Sequence, residues 1–424
     1  MESDKNKVWW GKIENDKPVR KHGLMKIGFY ITIGVVAIAV IVALIIININ
    51  KKADDGTDVE VSVEVNDDEE IVALDNTELS AGTVTTTIGG KSITYSGAYV
   101  VDGINATIGS GVYESAMDDQ VVFLVINGGS LKIQGDVKIN KTGSSNFSGR
   151  GDNYSFYGIN SAIAVVGSGS SVTINGATIT SDVSGANAVV ATNGGGAVVK
   201  NTTITTAKDN SRGLHATYGG AIQAEKTTIS TQGGSSATLA TDRGAGVVNA
   251  SDMTLSTAGA GSPLIYSTGE IMVSNSTGTA TGAQIAVVEG KNTIALYNCE
   301  FAANGVGNRN SVDNAGVMIY QSMSGDAAVG AGKFTAKDSK LNVLSTSSVY
   351  NAVPFFFVTN TTATIELDNV EIGFSDAEYF ISVLGTSEWG KSGSNGGTVT
   401  ITTSGLTATN TKVEVDDISV VSGL

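Results

Sequence analysis

The sequence predicts an all-β protein, a parallel β-helix solenoid with about 25 residues per coil behind one N-terminal transmembrane helix. Three observations carry this prediction. A glycine recurs every 25 residues, β-branched residues alternate with polar ones between these glycines, and one long uncharged segment lies near the N-terminus. Such a short repeat without a helical segment favours coils of short strands that stack on one another.

The repeat is clearest in the middle of the chain. One column is glycine, at Gly169, Gly194, Gly219, Gly244 and Gly269. The apolar columns are Ala164, Val189, Leu214, Leu239 and Leu264; Val172, Ala197, Ile222, Val247 and Met272; and Ile179, Ile204, Ile229 and Leu255. A further corner carries Asn201, Asp252, Asn298, Asp338 and Asn369. We expect the apolar columns to point inward, and the glycine and Asn/Asp columns to form corners with left-handed backbone.

The N-terminal part predicts a membrane anchor. Residues 27–47 carry no charge and are long enough to span a bilayer as a helix. Seven Lys/Arg precede this segment, so the positive-inside rule places the N-terminus in the cytoplasm and the rest outside the cell. The expected organisation is a basic tail (1–26), a transmembrane signal anchor (27–50), an acidic spacer that could cap the first coil (51–82), and the β-helix ectodomain (83–424).

Composition excludes several kinds of partner and cofactor. Residues 53–424 contain 17 Lys/Arg and 37 Asp/Glu without a basic cluster, which argues against nucleic acid. The only cysteine is Cys299, so no intrachain disulfide can form. We expect no metal and no cofactor, since the acidic residues after the anchor lack the regular spacing of a calcium loop.

The coils resemble a known group of proteins. Stretches such as "RGLHATYGG", "SPLIYSTGEI", "GVMIYQSMSGDA" and "LDNVEI", within residues 85–410, are similar to the right-handed parallel β-helix (pectin-lyase-like) proteins of bacterial cell surfaces that are described as adhesin-like. The resemblance implies a right-handed solenoid. It also implies a non-catalytic rod at the cell membrane that displays or attaches, with surface glycans or protein receptors as partners. The fold hosts enzymes as well as stalks, so it does not determine activity.

The hydrolase form of this resemblance would bring Gly-His-Gly and Arg-x-Lys, and neither occurs. We therefore expect no enzyme, with a polysaccharide-acting lyase or hydrolase as the alternative. Stacking at a step of 25 gathers one polar cluster: Asp209, Arg212, His215, Tyr218, Asp242 and Arg243. Asp242 and Asp209 could serve as acids or ligands and Arg243 as a base or carboxylate clamp. In the structural interpretation Asp242 closes a turn and Arg243 stacks on Tyr218.

Three surface features offer other interactions. Arg150, Gly151 and Asp152 form a possible adhesion tripeptide in the loop 142–157, although a simple turn explains them equally well. Outward Thr-x-Thr pairs around Ile179, Ile204, Ile229 and Leu255 suggest an ice-binding face as a minor alternative. The last strand, near 413–421, is expected to leave the C-terminus uncapped, an open edge through which copies could self-associate.

Overall fold

The computed structural model describes residues 76–146, 153–307, 312–322, 327–347, 353–374, 379–386, 388 and 395–424. The chain divides into two units, Met1–Asp67 and Asp68–Leu424, and all described residues belong to the second. The predicted anchor at 27–50 lies outside them. Among the residues that are described, no helix has the length and apolar character needed to cross a membrane.

The described residues of the second unit lie mostly in strands and include one short helix, α1 (Asn153–Phe156). Sheet A contains β1 (Gly82–Ile88), β2 (Lys91–Asp102), β5 (Gln120–Ile126), β7 (Ile163–Val166), β9 (Val189–Thr192), β12 (Leu214–Thr217), β15 (Leu239–Asp242), β18 (Ile265–Ser267), β21 (Ala286–Glu289), β24 (Val317–Tyr320), β27 (Pro354–Thr359), β30 (Tyr379–Val383) and β33 (Val413–Val415).

The other strands form two further ladders, sheets B and C. Sheet B contains β3 (Asn105–Ile108), β10 (Gly196–Lys200), β13 (Gly220–Glu225), β16 (Gly246–Ser251), β19 (Glu270–Ser274), β22 (Thr293–Tyr297), β25 (Ala331–Lys337), β28 (Thr362–Asp368), β31 (Thr398–Ser404) and β34 (Val420–Ser422). Sheet C contains β4 (Gly111–Ser115), β11 (Thr203–Thr206), β14 (Thr228–Thr231), β17 (Thr254–Thr257), β20 (Thr277–Ala280), β23 (Glu300–Ala303), β26 (Lys340–Val343), β29 (Glu371–Gly373) and β32 (Thr407–Ala408). The long strands β6 (Ser130–Lys141) and β8 (Ser171–Ser181) run through both sheets.

The chain visits sheets A, B and C in turn, and each strand pairs in parallel with its counterpart one coil later, at ~4.8 Å. The exception is the antiparallel hairpin of β1 and β2 at the start of sheet A. The prediction of a parallel β-helix solenoid is thereby confirmed.

The predicted columns are correct in the middle of the repeat and slip at its ends. Ile222 pairs with Val248 instead of Val247, and Leu239 pairs with Ile265 instead of Leu264. The reason for the first slip is one extra residue, Ala245, in the turn between sheets A and B. Ala245 takes a left-handed φ of 60° next to Gly244, so the corner absorbs the insertion and the strands on both sides stay paired.

The corner columns behave as expected, with one exception. The first four glycines of the column have φ between 75° and 83°, whereas Gly269 has no positive φ and lies where an added Cβ would meet the backbone of Gly246. The Asn/Asp corner is left-handed throughout: φ is 49–55° at Asn201, Asp252, Asn298, Asp338 and Asn369.

The inward residues of the three sheets form one continuous apolar core. Aromatic side chains fill it toward the C-terminal coils, where the Phe356 ring lies 5.0 Å from Phe355, 5.7 Å from Phe334 and 5.3 Å from Phe380. Phe357 points to the other side of sheet A, yet it is only 3% exposed because a second apolar cluster covers it there.

The outer face of sheet A is covered as well. The β1–β2 hairpin and residues 154–159 pack across its first coils in a separate apolar cluster. The loop 142–157 interrupts the coil pattern of the sequence, which predicts a segment that leaves the rod; its described residues from 154 onward instead lie against the sheet, where Tyr154, Phe156 and Tyr157 are buried. Tyr157 stacks on Tyr218 with ring centroids 5.5 Å apart, and the hairpin tip at Gly89 lies against the same Tyr218 ring.

At the C-terminal end, β33 pairs with β30 and β34 pairs with β31. Among the described residues no strand follows them, and Val413, Val415 and Val420 are 37%, 48% and 56% exposed. Self-association through this edge stays a prediction.

Replacement of Phe356 by Ala should lower the free energy of unfolding by about 3–5 kcal/mol, since a fully buried ring would leave a cavity among three other rings. Thermal unfolding followed by circular dichroism measures this. Val112, which is 56% exposed, provides the matched control as Val112→Ala. Equal melting temperatures for the two variants would contradict the packing described.

Candidate functional site

The structure brings most of the predicted polar cluster together on the outer face of sheet A. His215 and Asp242 lie on the neighbouring strands β12 and β15. The His215 Nε2 atom is 3.2 Å from Asp242 Oδ2, and an Arg212 guanidinium nitrogen is 3.5 Å from the same oxygen. His215 is fully buried and Asp242 is 3% exposed. The three side chains form a buried charged cluster and not an exposed surface patch.

Phe156 of α1 forms the cover of this cluster. The guanidinium carbons of Arg212 and Arg243 lie 5.2 Å and 4.9 Å from the centre of its ring. Arg212 also donates to the Ser155 hydroxyl at 3.0 Å. Arg243 was expected to stack on Tyr218, and this stays a prediction. The structure places its guanidinium over the Phe156 ring.

Asp209 is not part of the cluster. It is exposed and accepts a hydrogen bond of 2.7 Å from the backbone of Gly234 in the next coil. This bond joins two neighbouring coils. Arg150, Gly151 and Asp152 lie outside the described residues.

The other half of the site was not predicted from the sequence. Glu289, at the end of β21, accepts hydrogen bonds from the hydroxyls of Tyr266 and Ser322 and, at 3.0 Å, from that of Tyr320. All come from later coils whose spacing departs from 25 residues. One feature of the sequence could have pointed to this half of the site: Glu289 is the last residue of an otherwise apolar strand, AVVE.

Burial changes the acid–base properties of these groups. It raises the pKa of the Glu289 carboxyl, and the three hydroxyl donors only partly oppose this effect. Burial also raises the pKa of Tyr266 and Tyr320 well above the usual range. The pKa of His215 is lowered by its burial and further by the charge of Arg212, against the opposing effect of Asp242.

The sheet register relates Asp242 to Glu289. Leu239 pairs with Ile265, and Ile265 pairs with Ala286. Asp242 comes three residues after Leu239, and Glu289 comes three residues after Ala286. Asp242 and Glu289 therefore hold the same outward position two strands apart, about 9.6 Å between their backbones. The negative charge of Asp242 contributes to the raised pKa of Glu289, so the two carboxyl groups interact.

In the described part of the chain, no group of three or more His, Cys, Asp or Glu side chains is close enough to hold a metal ion. The site chemistry available is that of two carboxyl groups, two guanidinium groups, an imidazole and two phenols.

No protein-family model matches the chain, and no curated protein matches it. Solved structures that it resembles include the catalytic domain of a GH87 alpha-1,3-glucanase in complex with nigerose, with 11% identity and a TM-score of 0.38. A variant of that domain gives 10% identity and the same TM-score. For both, the match covers 75% of this chain and the chain spans 63% of the glucanase domain. An alginate lyase from Paenibacillus sp. str. FPU-7 has 12% identity and a TM-score of 0.33, with 75% and 92% covered.

These comparisons correct two predictions. The structures that resemble the chain are those of polysaccharide-active enzymes, so the predictions of a non-catalytic adhesin-like protein and of no enzyme were wrong and are not retained. At these TM-scores the comparisons do not say which reaction the chain would catalyse. The reaction has to be inferred from the side chains of the candidate site in this chain.

His215 provides a test of the cluster. Its folded-state pKa lies below the unfolded value of ~6.5, so its contribution to stability is complete above pH ~6.5 and decreases as the pH falls, when the unfolded chain takes up the proton. His215→Gln cannot titrate. We expect the melting temperature of the parent protein to fall more steeply than that of this variant between about pH 7 and pH 5. Parallel curves would contradict a buried neutral imidazole.

Proposed function

We propose that this chain is a polysaccharide-acting hydrolase, in which Glu289 protonates the glycosidic oxygen and Asp242 accepts a proton from the attacking water. One observation carries the proposal: two interacting carboxyl groups share an outward register position, and burial raises the pKa of one of them. A general acid must be protonated near the working pH, and a raised pKa serves this purpose.

The separation of the pair favours hydrolysis with inversion. Enzymes of that kind hold their carboxyl groups ~6.5–9.5 Å apart, which leaves room for water between acid and base. Backbone positions two strands apart are about 9.6 Å from each other, at the upper end of this range, whereas those on adjacent strands are only ~4.8 Å apart. Thr268, the residue in the intervening coil, has a small side chain.

The charges around the pair fit these roles. An Arg212 guanidinium nitrogen lies 3.5 Å from Asp242 Oδ2, and His215 Nε2 lies 3.2 Å from the same oxygen. Glu289 is surrounded by neutral hydroxyls and has no cation among its hydrogen-bond partners. The two carboxyl groups thus occupy different environments, the arrangement that separates an acid from a base.

Access to the pair is through its partly exposed neighbours. Glu289 is 1% exposed and Asp242 is 3% exposed, while Tyr266 and Arg243 are half-buried at the outer side. In the proposed complex a sugar oxygen takes the place of the Ser322 hydroxyl at Glu289.

We also propose that this activity lies outside the cytoplasm, with residues 27–50 as the membrane anchor. The uncharged segment and the preceding Lys/Arg residues support this placement. Protease added to intact cells should cleave the β-helix unit and spare the N-terminal tail.

Incubation with soluble neutral and uronic-acid polysaccharides should release reducing ends from at least one of them. Glu289→Gln and Asp242→Asn should each lower this rate by at least 100-fold, because each removes one proton-transfer group. Glu270→Gln, an exposed carboxylate in the intervening coil, should keep the parent rate. Full activity of Glu289→Gln on every substrate would refute the assignment, and an ultraviolet-absorbing unsaturated product would show elimination in place of hydrolysis.

The pH profile gives a second readout. Activity should fall as the pH rises through the raised pKa of Glu289. Tyr266→Phe removes a donor that lowers this pKa, so the alkaline limb should move to higher pH. An unchanged limb would contradict the role of Glu289 as the acid.

A further inference from the structure

We propose that the protein has a second carbohydrate site, in a groove of about 600 Å³ at the corner between sheets B and C, which binds an extended, uncharged glycan chain. This B–C groove spans the coils from β20 to β32 and is lined by residues of sheet C and of the turn that precedes it. The carboxylate pair lies on sheet A. The groove is therefore separate from the proposed active site and does not depend on it.

Each coil contributes the same three positions to the groove. The corner residue is Asn275, Asn298, Asp338 or Asn369, and the exposed or half-exposed residue two positions later is Thr277, Glu300, Lys340 or Glu371. The residue between them is buried and forms the floor, for example Ser276 or Ser339. Amides, hydroxyls and carboxylates are the groups that bind sugar hydroxyls.

The spacing of these positions suits a linear polymer. Parallel register places equivalent residues ~4.8 Å apart from coil to coil, in a straight line along the solenoid. An extended chain of linked hexopyranoses advances by a similar distance per sugar. Successive sugars would then meet equivalent polar groups, one coil per sugar.

The corner ladder is interrupted inside the groove. Asn298 donates to Asn275 at 2.9 Å, and Asn369 donates to Asp338 at 2.7 Å. No hydrogen bond joins the side chains of Asn298 and Asp338, both of which the structure describes. The amide oxygens of Asn298 and Asn369 accept no bond from another described residue, so the groove retains acceptors for sugar hydroxyls.

The charges of the lining select against anionic polymers. Three lining residues are acidic (Glu300, Asp338 and Glu371) and one is basic, Lys340. Lys340 is already paired with Glu371 at 3.2 Å. The unbalanced carboxylates would repel a polyuronate, whereas they would not weaken the binding of a neutral chain.

The sheet C positions allow a test that leaves the corner backbone intact. Asn298 and Asp338 have left-handed φ of 52° and 50°, so substitutions there would strain the turn. Glu300 and Glu371 are exposed strand residues, and an exposed ion pair contributes little stability. The double variant Glu300→Ala/Glu371→Ala should therefore fold. Thr254→Ala is the matched control, because Thr254 holds the same register position two coils before Glu300, outside the groove.

The probes are the hexasaccharides of β-1,4-linked glucose, of β-1,4-linked mannose and of galacturonic acid, titrated by calorimetry into the Glu289→Gln protein so that no probe is consumed. At least one neutral hexasaccharide should bind to the Glu289→Gln protein. Its affinity should be at least fivefold lower for the double variant and unchanged for the Thr254→Ala control. Glu300→Lys should improve binding of hexagalacturonate.

Three results would overturn the proposal: no binding of either neutral probe, equal binding by the double variant, or tighter binding of hexagalacturonate to the parent groove. A further measurement tests the groove and the active site independently. The double variant that retains Glu289 should turn over any substrate at the parent rate, since loss of groove binding should not affect the carboxylate pair.

Discussion

The hydrogen bonding of each coil to the next is the constraint on which the rest of this structure depends. Parallel pairing assigns every strand residue a register position, and side chains at equal positions stack along the solenoid. Apolar side chains then pack on the apolar side chains of the next coil and form one continuous core. A chain that gains or loses residues must do so at a corner, as at Ala245, where the left-handed backbone takes up the insertion and the sheets remain paired.

This constraint also explains what could be predicted from the sequence. The strands, the inward columns and the left-handed Asn/Asp corner follow from the alternation of apolar and polar residues and from the 25-residue step. Both patterns are visible in the amino-acid sequence. Arg212, His215 and Asp242 were found together because they lie on two neighbouring coils that are related by the regular 25-residue step. Glu289 was missed because it follows Asp242 by 47 positions and not 50, after two coils of unequal length. Only the observed register shows that these two residues share a column.

The cover of sheet A was equally hidden. Nothing in the segment around Tyr154 and Phe156 indicates that it returns to the sheet, since aromatic residues in a Gly- and Ser-rich loop suit either an exposed or a packed loop. The return has an electrostatic consequence. Phe156 covers the arginine side of the cluster, and the buried Asp242 carboxyl group finds its partners within the cluster, in Arg212 and His215. Buried ion pairs of this kind rarely add stability relative to apolar packing. Their presence on a face that could have been apolar throughout is better explained by chemistry than by stability.

The error about catalysis has the same origin as the missing Glu289. It relied on short motifs, whose absence excludes only sites built from neighbouring residues of the chain. In a solenoid, neighbours in space come from different coils, so a carboxylate pair needs no motif and only two acidic residues at one outward position, separated by whole coils. The spacing between acid and base is then set by the number of intervening strands. Neighbouring coils place the two backbone positions ~4.8 Å apart and a step of two coils places them ~9.6 Å apart, so the number of coils favours a nucleophile in the first case and a base that activates water in the second. In this chain the count is two, and the short coil between β18 and β21, with a step of 21 residues from Ile265 to Ala286, brings Glu289 into the column of Asp242.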